Sequence, residues 1–211
     1  MKFIPEEIEN YCKDKSTPPA SYLEELDRET HLKTLAPVML SGHLQGRILA
    51  MLSKMIQPEQ ILEVGTFTGY SALCLAEGLS ESGELHTIEV NDELKPIIDQ
   101  YLNRSPYKDR IKVHIGKAEE VIPHFQQTFD LVFIDAGKKL YGKFYRQCVE
   151  KLRSGGFIFA DNVLWSGKVL EKDADEETEA LKEFNEMVLR DPEVEVVVLP
   201  IRDGVSVIRK K

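Results

Sequence analysis

From Gln60 onward the chain alternates short, almost continuous apolar runs with amphipathic stretches of helical period. The apolar runs are QILEV from 60, ELHTIEV from 84, IKVHI from 111, FDLVFID from 129, GFIFAD from 156 and VEVVVLP from 194. Between them lie TGYSALCLAEGL, DELKPIIDQYLN, YGKFYRQCVEKL and EETEALKEFNEMVL, the last of which groups Leu181, Phe184 and Val188 on one side. Strands that are apolar on both faces and linked by helices demand a parallel sheet covered on both sides, an α/β fold. The final pair, VEVVVLP and GVSVIRK, is joined only by IRDG. That connection is too short for a crossover helix, so the last strand runs antiparallel. Upstream, HLQGRILAMLSKMI places Leu44, Ile48, Leu49, Leu52, Met55 and Ile56 on one helical face. STPPAS, from Ser16, separates the first two N-terminal helices. The 211 residues read as a single domain, with a helical cap over 1–57 and an α/β core over 58–211.

Charge narrows the partners. The chain carries 27 basic and 36 acidic residues, a net charge of −9. An acidic surface repels phosphate, which argues against nucleic acid and anionic membrane as partners. Cys12, Cys74 and Cys148 are scattered without CxxC spacing, the pattern of reduced thiols in a cytoplasmic protein. The N-terminal MKFIPEEIENYCKDK has no long apolar region, and no segment reaches the length of a membrane span.

The first strand runs into LEVGTFTGYSALCLA, whose glycine turn lets a ligand approach the backbone at the carboxyl edge of the sheet. The spacing Gly65-x-x-x-Gly69 differs from the GxGxxG that cradles a pyrophosphate, so a nucleoside without a diphosphate fits better. Glu89 closes the second strand, where an acidic side chain can hold ribose hydroxyls. Two later strands end in hard oxygen: FIDAGKKLY gives Asp135 with Lys138 behind it, and FIFADNVLW gives Asp161 and Asn162. Either end alone reads as an Asx turn. Together, opening on one crevice, they suit Mg²⁺, which prefers oxygen ligands and keeps positions for water or substrate. The three cysteines and His31, His43, His86, His114 and His124 are dispersed along the chain and form no competing soft cluster. Lys138 is the candidate general base for removing a hydroxyl proton. Trp165, the only tryptophan, reads by itself more as core packing than as acceptor wall.

EVGTFTGYS, the strand-ending Glu89, FIDAGKKLY and GGFIFADNVLWSGKV resemble the cation-dependent O-methyltransferases, the group of catechol and caffeoyl-CoA O-methyltransferases. The likeness runs from about Ala36 to the C-terminus. It implies a Rossmann-like class I methyltransferase fold, with a seven-stranded, mostly parallel sheet, one antiparallel strand and helices on both faces. It also implies a homodimer, S-adenosylmethionine (SAM), and a divalent cation, usually Mg²⁺ and otherwise Mn²⁺ or Ca²⁺. On that resemblance Met39, Glu63, Gly65, Phe67, Ser71, Glu89, Ala118, Glu119 and Asp135 contact the cofactor. Asp135, Asp161 and Asn162 hold the metal, Lys138 and Asp135 are catalytic, and Ser41, Lys138 and Trp165 meet the acceptor. Gly137 departs from the pattern, since many relatives carry a second acidic residue there. The implied reaction is methyl transfer to one hydroxyl of a catechol-type small molecule. Methylation of a hydroxylated transfer RNA nucleoside, or a non-catalytic nucleotide-binding role, are the alternatives.

Overall fold

In the computed structural model, which describes residues 4–211, seven strands form one sheet in the order β3-β2-β1-β4-β5-β7-β6. They are β1 (Gln60–Val64), β2 (Glu84–Glu89), β3 (Ile111–Ile115), β4 (Phe129–Ile134), β5 (Leu152–Asp161), β6 (Val194–Leu199) and β7 (Val205–Lys210). Residues 1–3 of the sequence-defined cap lie outside the described residues. The strands from β3 to β5 pair in parallel, and β7 is antiparallel to both β5 and β6. The expected architecture is therefore present. The strand order reverses between β1 and β4, which is where an open α/β sheet places its ligand crevice.

Side chains alternate across the sheet, and the two faces fill two cores. Val132, Ile134, Ile158 and Ala160 pack under α7 (Tyr141–Lys151) and α8 (Glu176–Arg190), through Tyr141, Phe144, Cys148, Leu181 and Phe184. Ile61, Leu131, Phe133 and Phe159 point the other way. They meet α2 (Ser21–Lys33), α3 (Gly42–Ile56), α4 (Tyr70–Ala76) and α5 (Lys95–Arg104). The remaining helices are α1 (Glu6–Asp14) and the short α6 (Ala118–Val121). Among the described residues no helix is long and apolar enough to cross a membrane, and Cys12, Cys74 and Cys148 are free thiols.

Two features are not visible in the sequence pattern. The buried face of α3 overlaps its apolar stripe only in part: Leu49 is buried and Leu52 and Ile56 pack on the same core, but Gln45, Gly46, Ala50 and Ser53 are buried too, whereas Met55 is 75% exposed. The cause is close approach of α3 to α4. A Cβ on Gly46 would lie 2.7 Å from the Tyr70 ring and 2.8 Å from Cys74 Sγ, and the Ser53 hydroxyl donates to the Leu75 carbonyl at 2.7 Å. Helices this close select small side chains at the seam. The histidines are not all apart either. His86 Nδ1 and His114 Nε2, on neighbouring strands, lie 3.0 Å apart with Gln127 Nε2 3.1 Å from His86 Nε2. Burial, and for His86 also the neighbouring imidazole, push both rings below the usual histidine range, so the pair sits neutral among Phe125 and Phe129.

The seam gives a direct test. Gly46→Ala should cost about 1–3 kcal/mol, the usual penalty for overpacking, and Met55→Ala less than about 0.5 kcal/mol. Urea unfolding of both variants checks the order, and equal losses would restore the apolar stripe as the packing face.

Candidate active site

The chain leaves β1 at Val64 and turns at Gly65 with φ +104°, a conformation that disfavours any side chain. A Cβ there would lie 2.0 Å from the Asp135 carbonyl oxygen, because the Asp135 N–H donates to the Val64 carbonyl at 2.9 Å. The loop then folds over the end of β2. The Phe67 N–H donates to Glu89 Oε2 at 2.7 Å, and the Asn91 N–H to Glu89 Oε1 at 2.9 Å. The Gly116 N–H donates to the Glu89 carbonyl at 2.8 Å, which brings Ala118 and Glu119 at the start of α6 to the same edge. Below, Glu63 is fully buried. Its Oε2 accepts from the Thr87 hydroxyl, while Oε1 has no hydrogen-bond partner. Burial pushes its carboxyl up to about 8, against the opposing pull of the Ser71 and Thr87 hydroxyls. Glu63, Gly65, Phe67, Ser71 and Glu89 thus form one group, and α2 braces it through the Thr30 hydroxyl, 3.0 Å from that of Thr68.

Asp135 follows β4, Asp161 ends β5, and Asn162 continues it in the left-handed region at φ +57°, where asparagine is at home. Lys138, only 7% exposed, opens a 3₁₀ turn. Its Nζ donates to Asp135 Oδ1 at 3.1 Å and to the Tyr141 hydroxyl at 2.8 Å. The Tyr141 hydroxyl donates in turn to the Asp161 carbonyl at 2.7 Å. Burial and the flanking aspartates raise the Tyr141 phenol well above its ordinary value, so it remains a neutral donor. Asp161 Oδ2 accepts from Gln45 Nε2 at 2.6 Å, but its buried Oδ1 has no partner. Burial first, and then Asp135, raise this carboxyl.

The Trp165 ring centroid lies 5.9 Å from Lys138 Nζ, and the ring also packs on the core beneath α8. Ser41 is buried and its carbonyl accepts from Arg202, whereas Met39 of the same segment is 60% exposed. Gly137 has an ordinary φ of −58°, and a Cβ there would meet nothing within 4 Å.

Among the described residues no three His, Cys, Asp or Glu side chains gather as a metal cluster. The candidate set is two aspartates and an asparagine. Its donors are all hard oxygens, and the orphaned Asp161 Oδ1 is the kind of buried acceptor that such a cation satisfies. Sequence reasoning missed Gln45, Tyr141 and Arg202. A tyrosine three residues after Lys138 was a visible signal, but Gln45, off the apolar stripe of α3, and Arg202, in the turn between β6 and β7, gave none.

A seven-stranded sheet with one antiparallel strand and a nucleoside-type glycine loop at its switch point defines the class: a Rossmann-like methyltransferase. The sequence profile of the O-methyltransferase family matches residues 13–211, and the chain belongs to that family of SAM-dependent enzymes. It is 34% identical over 168 residues to catechol O-methyltransferase domain-containing protein 1 of Mus musculus, covering 77% of this chain and 64% of that one, just under two thirds. It is 29% identical over 195 residues to caffeoyl-CoA O-methyltransferase 1 of Eucalyptus globulus, covering 87% and 79%. The O-methyltransferase of Bacillus cereus, solved in complex with SAH, superposes with a TM-score of 0.91 at 28% identity, covering 97% of each chain.

Glu63 has a measurable signature. Its folded carboxyl holds a proton to about pH 8, against an ordinary value of 4.5. Within that window the unfolded chain has released the proton and the folded chain has not, so this group's contribution to stability falls as pH rises. Glu63→Gln should flatten the decline in Tm across that window. Parallel Tm curves for the two proteins would show that Glu63 does not titrate there.

Proposed function

We propose that the protein transfers a methyl group from SAM to one hydroxyl of a vicinal dihydroxyphenyl small molecule, using a divalent cation and Lys138 as general base. The observation that carries this reading is a buried, half-satisfied Asp161 carboxylate linked, through Tyr141 and the Asp161 carbonyl, to a buried lysine in the turn after the adjoining strand. SAM, when bound, supplies an electrophilic methyl group on a sulfonium sulfur. A divalent cation, Mg²⁺ or else Mn²⁺ or Ca²⁺, held by Asp135, Asp161 and Asn162, supplies positive charge that favours an ionised acceptor oxygen.

The chain's own groups do the rest. Each Glu89 oxygen is fixed by one backbone N–H and keeps acceptor capacity for ribose hydroxyls. Gly65 leaves the loop backbone bare, and the free Oε1 of Glu63 faces the cofactor's amino-acid end in this reading, with Ser71 and Phe67 beside it. Ala118 and Glu119 border the adenine, and Met39 and Ser41 close the N-terminal side. Tyr141, committed to the Asp161 carbonyl, accepts one Lys138 N–H and so orients the Nζ that takes the acceptor proton. Trp165 limits water at Lys138 and walls the acceptor. In-line alignment of oxygen, methyl carbon and sulfur is then a matter of positioning.

A compact acceptor suits the surface charges. Arg47 is engaged by Glu77 and Lys33 by Glu29, which removes two cations from any phosphate clamp. Glu176 sits on Lys139, next to the proposed base, and Asp175 caps α8. A CoA thioester would bring phosphates to this acidic rim. The same reading includes a cytoplasmic homodimer, for which the exposed Leu35, Val38 and Met51 offer apolar surface.

Lys138→Ala should lower kcat on the order of 10²–10⁴-fold while leaving SAM affinity near wild type, and Glu89→Ala should chiefly weaken SAM. Steady-state kinetics with calorimetry separates them, and full turnover of metal-free protein in EDTA would remove the cation from the mechanism. Comparison of kcat/KM for a simple catechol, caffeic acid and caffeoyl-CoA should favour the compact acceptors, most strongly at low ionic strength. A thioester preference at low salt would overturn the argument from charge.

A further inference from the structure

The fold treats the two oxygens of Asp161 differently. Oδ2 is taken by Gln45 Nε2 at 2.6 Å, and Oδ1 is left free. Gln45 is itself 2% exposed, an amide buried in the seam of α3. Its orientation is dictated by chemistry, because the other end meets Arg202. A guanidinium only donates, so Arg202 Nη1 must face Gln45 Oε1, and the amide NH₂ must then face the carboxylate. Arg202 stands in the turn between β6 and β7 at φ +50°, a backbone conformation that disfavours a side chain. From there the same Nη1 also donates to the Ser41 carbonyl and approaches the Leu40 carbonyl at 3.4 Å.

We propose that Gln45 and Arg202 are positioning residues for the cation: Arg202 orients the Gln45 amide, which ties down Asp161 Oδ2 and presents Oδ1 as the free oxygen of that carboxylate. The proposal rests on the reading above that Asp161 is a cation ligand. Hydrogen-bonded partners of this kind fix the direction and basicity of a ligand and are worth 10–100-fold in metal affinity. The arrangement has a second effect. Because Arg202 also holds the 40–41 backbone, the cation and the N-terminal segment share one set of contacts, and each favours the ordered state of the other.

The test measures Mg²⁺ affinity by calorimetry on the full chain loaded with SAH, for wild type, Gln45→Leu and Arg202→Gly. The second variant suits the positive φ at that turn and guards against misfolding of the first. Mg²⁺ binding should weaken about 10–100-fold in both, with the SAH affinity of Gln45→Leu, measured without metal, staying close to wild type. A purely structural role would lower Mg²⁺ and SAH affinity together in Gln45→Leu. That result, or unchanged Mg²⁺ affinity in Arg202→Gly, overturns the relay and leaves the proposed function standing. A wild-type chain that binds no Mg²⁺ overturns the cation reading and the relay with it.

Discussion

The turns after β1 and β4 lie so close that one methyl group would not fit between them. Gly65 carries φ +104°, and a Cβ on it would fall 2.0 Å from the Asp135 carbonyl oxygen. The Val64 carbonyl accepts the Asp135 N–H in the same junction. The glycine loop after β1 and the first oxygen-bearing strand end therefore share one backbone contact. From it Glu89 is set on one side, through Phe67, and Lys138 and Tyr141 on the other. Methyl donor and acceptor must meet within a few tenths of an ångström of the productive geometry, and that precision is easier to hold across a single contact than across two mobile loops.

The half-buried Asp130 and the buried Glu63 and Asp161 show two treatments of a carboxyl group. Burial pushes the Asp130 carboxyl up, yet N–H donors from Gln60 and Glu59 and the Arg153 guanidinium outweigh it and hold the group below its usual range. Asp130 thereby locks the start of β1 to β4 and has nothing left to give. Glu63 and Asp161 are buried more deeply, and each retains an oxygen without a partner. An unpaired buried acceptor of this kind is one that a bound ligand can complete. Both incomplete acceptors lie at the carboxyl edge of the sheet.

How much of this could be read in advance follows from the range of each interaction. Strand runs, the short IRDG connection and the oxygen-ended strands are local, and each was legible. The adjacency of the strand ends that carry Asp135 and Asp161 was legible too, because topology alone brings neighbouring strand ends to one crevice. The buried face of α3 was not legible. Helical periodicity ranks faces by hydrophobicity, whereas contact with α4 selected small residues such as Gly46 and Ser53. The His86–His114 contact depends on β2–β3 pairing, and the Arg202–Gln45 contact joins residues 157 apart. Nothing in a linear pattern announces either.

Gly137 holds an ordinary φ of −58°, and a Cβ there would enter empty space beside the proposed acceptor mouth. Unlike Gly65, this glycine is required by neither backbone nor packing. Evolution can therefore redecorate the mouth at one codon without taxing the core, and acceptor choice and fold stability become independently heritable traits. The arrangement marks position 137 as the natural first site for directed evolution toward new acceptors.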